Sequence, residues 1–399
     1  MEATAQLLAD LCQGLVKQGH EIVIITASPS LAERSPSTPS VSNPRVIRLG
    51  ADRKQRTGLL GKAIGYFQFS SFARRILRSE VRNNDVVVAM TDPPLLGSTI
   101  TPTVLRLGGR MWHWSQDLYP EVALAIRPFG PLSCFLRIFR GPRDQSWIRS
   151  EGIVAIGTDM KDRIVSSDIP SEKIHVVPNW APSTISLETK VNHRKEWNIL
   201  PEDFTLVYSG NLGRAHVLSP LMELAEKCRN QDRLKMLIIG RGAQLKQLKS
   251  GVQQRKLKNI RFLAPVPLNE LGGSLRAADI HLITMRPDCV GTVWPSKFYG
   301  IVAAGRPMVF IGPLESEIAE IIKRESLGVA VSPDNLPAAH QFIESLASDP
   351  ESQQRYRQRV LHYAKNSVGL SHAIMSWSAI AEGKQSTQTR PLNNVSEPS

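Results

Sequence analysis

From Ala5 to Gly19 apolar residues stand at Leu7, Leu8, Leu11 and Leu15, the recurrence of one helix face, and Gly19 ends it. Glu21-Ile-Val-Ile-Ile-Thr26 follows as an unbroken apolar run, the mark of a parallel strand buried on both faces. Runs of this kind recur at 85–90, 110–114 and 152–156, separated by helix-length segments. After Val176-Val-Pro-Asn-Trp-Ala-Pro182 the pattern pauses in a polar stretch, then restarts at 204–209, 235–239, 260–263, 280–283 and 308–311. Strand-helix alternation predicts doubly wound parallel sheets, and two series predict two of them. The expected fold is therefore α/β with two Rossmann-like domains, 1–180 and 181–370, a C-terminal helix at 371–382 and a disordered polar tail at 383–399. A length of 399 residues suits two cores rather than one.

Composition changes this picture little: 42% apolar and 21% charged residues are ordinary for a folded globular chain. Charge changes it more. The net charge is +13, and residues 45–82 carry ten basic side chains against Asp52 and Glu80. Leu59, Leu60, Ile64, Phe67, Phe69, Phe72 and Ile76 are interleaved with them at helical spacing. Such a helix fits two roles, a core helix with solvated charges and an interfacial helix lying on an anionic membrane. With no apolar run of spanning length and no secretory leader pattern, the expected location is cytoplasmic, peripheral on the inner face of the plasma membrane. Cys12, Cys134, Cys228 and Cys289 have no metal or disulfide spacing and read as buried or inert thiols, and no metal is expected. Nucleic acid is not expected as a partner, since no helix-turn-helix, zinc or RNP-type signature accompanies the charge.

Candidate chemistry lies in three places. In Leu206-Val-Tyr-Ser-Gly-Asn-Leu-Gly-Arg214 a strand runs into a turn where Gly210, Asn211 and Gly213 let backbone amides approach an anion and Arg214 adds a guanidinium; an ordinary βα loop has the same look. One unit later, Lys235-Met-Leu-Ile-Ile-Gly-Arg-Gly242 repeats the device with Gly240, Arg241 and Gly242. Two such loops mark a nucleotide crevice at the carboxyl ends of strands. In Trp294-Pro-Ser-Lys-Phe-Tyr-Gly300 a helix starts at Pro295 and Ser296 with Lys297 in its first turn, where a structural lysine is out of place.

These segments, with Ala277-Ala-Asp-Ile280 and the block continuing through Pro307, resemble retaining glycosyltransferase family 4, and within it the bacterial branch with the N-acetylfucosaminyl transferases of O-antigen and capsule assembly. Gln116-Asp-Leu-Tyr-Pro-Glu121 and Val177-Pro-Asn179 carry the resemblance into the first half, so it covers residues 3 to about 380. It implies a GT-B fold, whose two domains face each other across a cleft, with no cofactor beyond the donor substrate, a UDP-sugar. The donor diphosphate would meet Arg214 and Lys297 and the nucleotide-sugar Ser296, Tyr299 and Gly300. Asp117 and Glu121 would act on the acceptor side, and the acceptor would be a polyprenyl-diphosphate-linked glycan.

Two departures stand out. Thr292 and Gly300 occupy positions where many members carry glutamates, and Gln116 stands where many carry a donor-sugar histidine. The resemblance also implies a strand and glycine turn before the first helix, leaving a vacant position in the first sheet and two alternatives, a late-assigned start or a truncated remnant that only binds.

Overall fold

The structure, a computed structural model, describes residues 3–27, 43–49, 59–126, 136–183 and 191–384. The chain forms two compact units. One comprises Leu8–Pro120, Pro131–Pro178 and Ser371–Ser399, the other Met1–Leu7, Glu121–Gly130 and Asn179–Leu370.

In the second unit every apolar run has become a parallel strand: β7 (Phe204–Ser209), β8 (Leu234–Ile239), β9 (Ile260–Leu263), β10 (Ile280–Thr284), β11 (Met308–Ile311) and β12 (Gly328–Val331). Their order is β12-β11-β10-β7-β8-β9, so the winding reverses between β7 and β10. Ligand crevices open there, beyond the carboxyl ends of the strands. Leu206, Leu221, Leu224, Ile280 and Val309 fill one face almost without exposure. Burial of each such side chain contributes about 1.5–3 kcal/mol.

The first unit holds β1 (Val23–Ala27) paired with β2 (Arg45–Leu49), and separately β3 (Val86–Met90), β4 (Arg110–Ser115), β5 (Gly152–Ala155) and β6 (Ile174–Val176), all parallel. Among the described residues β1 and β3 are not hydrogen-bonded to each other. Both pieces nevertheless share one core, in which Ile25, Ala27 and Leu49 pack with Phe69, Leu77, Ala89 and Met111.

The helices are α1 (Ala3–Lys17), α2 (Leu59–Glu80), α3 (Leu96–Arg106), α4 (Glu121–Ile126), α5 (Arg140–Arg149), α6 (Thr158–Val165) and α7 (His193–Glu196), then α8 (Ser219–Lys227), α9 (Leu245–Gln254), α10 (Leu271–Arg276), α11 (Lys297–Ala303), α12 (Glu317–Arg324), α13 (Leu336–Ser348), α14 (Pro350–Asn366) and α15 (Leu370–Ala381). The last of these packs in the first unit, with Trp377 edge-on to Trp114 at 5.3 Å and Ser378 bonded to His20 at 2.7 Å.

The basic stretch 45–82 is divided: Arg45–Leu49 is a strand, α2 begins at Leu59, and the residues between lie outside the described ones. On α2 the aromatic residues do not share one face. Phe69, Ala73 and Leu77, four apart, are core, whereas Phe67 is 69% exposed. Phe67 and Phe69 differ by about 200° around a helix of 3.6 residues per turn, so they cannot meet one surface. Cys12, Cys228 and Cys289 are buried as expected, and burial pushes their thiols up to about 12, 12 and 11. Cys134 and the tail beyond Lys384 lie outside the described residues.

Candidate functional site

The two glycine turns predicted after β7 and β8 are locked together by backbone. Gly210 N–H donates to Ile239 O and Leu212 N–H to Arg241 O, both at 2.9 Å, and Gln244 N–H closes the set on Leu212 O at 3.1 Å. A Cβ at Gly240 would lie 2.0 Å from Gly210 O, and one at Gly242 2.6 Å from the Leu212 carbonyl. Only glycine permits that approach. The Gln244 side chain donates to Gly213 O and His216 O, and Arg286 N–H reaches Ala215 O at 3.0 Å, tying the loop after β10 to the same turn.

Lys297 points at this turn. Its Nζ sits 3.5 Å from the Tyr208 ring centroid, and a Cβ on Gly210 would be 3.9 Å from it. The stem keeps some exposure, but Nζ is shut off from solvent and has no hydrogen-bond partner. Burial depresses its pKa well below that of a free amine. The ring face offsets part of this desolvation; the remainder is the cost of an amine without an anion. His216 borders the same space, its Nδ1 at 2.6 Å from Thr284 O and its ring edge-on to Tyr208. Burial and then the Lys297 charge lower its pKa to about 4, so it is neutral, with Nδ1–H donating and Nε2 left as an acceptor.

The structure thus brings Gly210, Gly213, Gly240, Gly242 and Lys297 into one place. Arg214, Asn211 and Arg241 are exposed on the same turns, and Arg214 makes no hydrogen bond or ion pair with the described residues. Ser296 is exposed just ahead of α11, without a capping bond from its side chain. Tyr299 is not brought there. It is 3% exposed, tilted against Trp294 and edge-on to Phe298, because two helical steps turn it about 200° from Lys297. Gly300 is buried within the same helix. Tyr208 and His216 were hidden in the sequence, the one inside a strand pattern and the other as a lone histidine equally suited to solvent.

In the first unit, the carboxyl ends of β3 and β4 open into a small pocket whose lining includes Thr91, Ser98, His113, Ser115, Asp117 and Tyr119. Ser98 Oγ, His113 Nε2 and Ser115 Oγ are buried there without hydrogen-bond partners. Burial lowers the His113 pKa to about 4. Asp117 moves the other way, up to about 6, through burial first and the nearby Asp92 charge second. Glu121 opens α4 and is buried, and it belongs to the other unit.

The sign of the Asp117 effect is testable. Its folded pKa lies above the unfolded one, so its contribution to stability is full below about pH 4 and lost as pH rises through 6. Asp117→Asn should therefore stabilise the protein at pH 8 by on the order of 3 kcal/mol and by only about half of that at pH 5, measured by thermal denaturation. Equal shifts at both pH values would refute this.

The model of Glycosyltransferase Family 4 matches residues 4–182, and that of Glycosyl transferases group 1 matches residues 189–362. The chain is a glycosyltransferase of the GT-B fold. The glycosyltransferase is 25% identical over 315 residues to the probable glycosyltransferase WbjE of Pseudomonas aeruginosa, covering 77% of this chain and 78% of that one. It is 25% identical over 193 residues, 47% of each chain, to the putative colanic acid biosynthesis glycosyl transferase WcaI of Escherichia coli K12. Among solved structures, Anabaena Alr3699/HepE in complex with UDP-glucose superposes with a TM-score of 0.69 at 11% identity, covering 96% and 97% of the two chains. Where the resemblance would place two glutamates, this glycosyltransferase has buried Thr292, donating to Cys289 O at 3.0 Å, and buried Gly300, so neither supplies a carboxylate.

Proposed function

We propose that the glycosyltransferase moves a hexose or N-acetylhexosamine, of which N-acetylfucosamine is one, from a UDP-sugar to a polyprenyl-diphosphate-linked glycan in cell-surface polysaccharide synthesis, with retention of configuration. The observation that carries this reading is the buried, unpartnered Nζ of Lys297 aimed at the interlocked glycine turns. A diphosphate there supplies the missing counter-charge, and as the sugar leaves, the charge growing on its β-phosphate is stabilised by Lys297 and by Arg214 on the same turn. UDP and UDP-glucose are bound in the HepE structures, which supports uridine as the base. On the acceptor side, Asp117 and the unpartnered hydroxyls of Ser98 and Ser115 suit a sugar bearing several hydroxyls. Glu121 is retained as a further acceptor-side group. Incubation with UDP-sugars and polyprenyl-diphosphate-GlcNAc, read by mass spectrometry, should show one sugar added. No product from any UDP-sugar would leave the binding-only alternative.

The lipid acceptor accords with α2. Opposite its core face, exposed Ile64 and Phe67 share a side with Arg74, Arg75 and Arg78, and Arg82 follows the helix. No helix of the described residues is long and apolar enough to cross a membrane. We assign this side of α2 to the anionic inner membrane surface, with Phe67 among the headgroups. Replacing Arg74, Arg75, Arg78 and Arg82 by Gln should release the protein from phosphatidylserine vesicles, each basic group contributing about 1 kcal/mol, screened by salt. Turnover of a short-chain soluble acceptor should persist. Unchanged sedimentation with vesicles at low salt would remove the membrane role.

A further inference from the structure

The amino-terminal ends of the second sheet hold a charge arrangement that sugar transfer does not use. Asp279, just before β10, is ringed by arginines from distant parts of the chain. Its Oδ2 accepts from Arg194 Nη1 at 2.9 Å, from Thr205 N–H at 2.9 Å and from Thr205 Oγ1 at 3.0 Å, while Oδ1 accepts from Arg357 Nη2 at 3.3 Å. Arg306, just before β11, donates one Nη2 hydrogen bond to Arg276 O. Its Nε and Nη1, and the Nε of Arg357, are shut off from solvent with no acceptor. Two guanidiniums, Arg194 and Arg357, thus share a single carboxylate that is already engaged, and Arg306 feels the charge of both and of Arg276.

The crowding is felt at Arg306. Burial first and then Arg357 lower its pKa, Asp279 opposes them, and Arg194 and Arg276 add to the lowering, for a value of about 10. Buried guanidinium donors left unpaired cost more than a hydrogen bond returns. An ion with several acceptor oxygens corrects both faults at once. The Asp279 carboxylate, held by Arg194 and Thr205, keeps two of the arginines in place. The Lys297 site lies beyond the other end of β10, about 16 Å away for the five residue steps from Asp279 to Thr284 at ~3.3 Å each.

We propose that Arg306 and Arg357, with the charge of Arg194 and Arg276 beside them, form a second anion site on the glycosyltransferase, for a phosphate or phosphate monoester, separate from the donor site. Because it joins α7, β7, β10, β11 and α14 at one point, the anion ties the second unit together, and its binding raises thermal stability by mass action. Inference of this site does not depend on how the Lys297 site is read.

Thermal midpoints of the full chain, titrated with inorganic phosphate and separately with glucose 6-phosphate against chloride at matched ionic strength, test it. Phosphate should raise the midpoint and chloride should not; a stronger effect of the ester would name a sugar phosphate as the ligand. Arg306→Gln, and separately the more exposed Arg357→Gln, should weaken the phosphate response about tenfold or more, the size expected for a lost charge-assisted hydrogen bond. Lys297→Ala should keep it. Loss of the response in Lys297→Ala would place the anion at the donor site instead. No phosphate response in the wild type, or a response in both arginine variants as strong as the wild type's, would overturn the proposal.

Discussion

Lys297→Ala should lower turnover at least about 100-fold with donor saturating, the size commonly seen when one charged donor to a developing oxyanion is removed. The same substitution should leave the unliganded protein as stable or more so. These opposite signs follow from one fact: Lys297 Nζ is shut off from solvent and unpartnered, against the Tyr208 ring. Removing a buried uncompensated charge relieves the fold, whereas the same group is what the diphosphate requires. Arg214→Ala should cost turnover on a similar scale without the gain in stability, because its guanidinium is exposed and the unliganded fold does not depend on it. Steady-state kinetics and melting curves on each variant check both signs. Near wild-type turnover in both would mean that the diphosphate is bound elsewhere.

The second large effect is on acid stability. His113 and His281 are buried and His216 is partly so, and desolvation above all holds each near a pKa of about 4, against 6.5 for a free histidine. Below pH 6.5 the unfolded chain takes up these protons while the folded chain refuses them, so stability falls as pH drops from 6.5 towards 4. Each histidine should cost on the order of 2 kcal/mol by pH 5. Asp117, whose shift has the opposite sign, offsets part of this between pH 4 and 6. The net loss is several kcal/mol, comparable with the whole stability of an ordinary domain. Urea midpoints at pH 7 and pH 5 should differ markedly, and His113→Leu should flatten the difference. A midpoint that holds steady or rises on acidification would contradict the burial of these rings.

The strands of the sheets were largely legible because a parallel strand covered on both faces is apolar nearly throughout, and the runs here are short and set between helix-length segments. β2 escaped because Arg45 and Arg48 interrupt it. Arg45 finds its partner in Glu80, at the far end of α2, and no local reading anticipates that pairing. β6 is three residues with His175 at its centre, and β12 opens on Gly328, so neither reads as an unbroken apolar run. Lys297 and the glycine turns could be read because backbone approach to an anion demands glycine and a misplaced cation demands a reason. The burial of Tyr299 and Phe69 was not legible because a motif fixes spacing but not which side of a helix meets the core. The arginine cluster was invisible for a different reason: its members lie between residues 194 and 357 and converge only when strands wound out of chain order are laid side by side.

The central claim is that the glycine turns and Lys297 hold the donor diphosphate. Calorimetric titration of UDP into the full chain tests it most directly. Saturable one-site binding in the wild type that is lost or weakened at least about tenfold in Lys297→Ala, with Arg306→Gln binding as the wild type does, is the predicted result. No heat of UDP binding in the wild type, or equal affinity in Lys297→Ala, would contradict it.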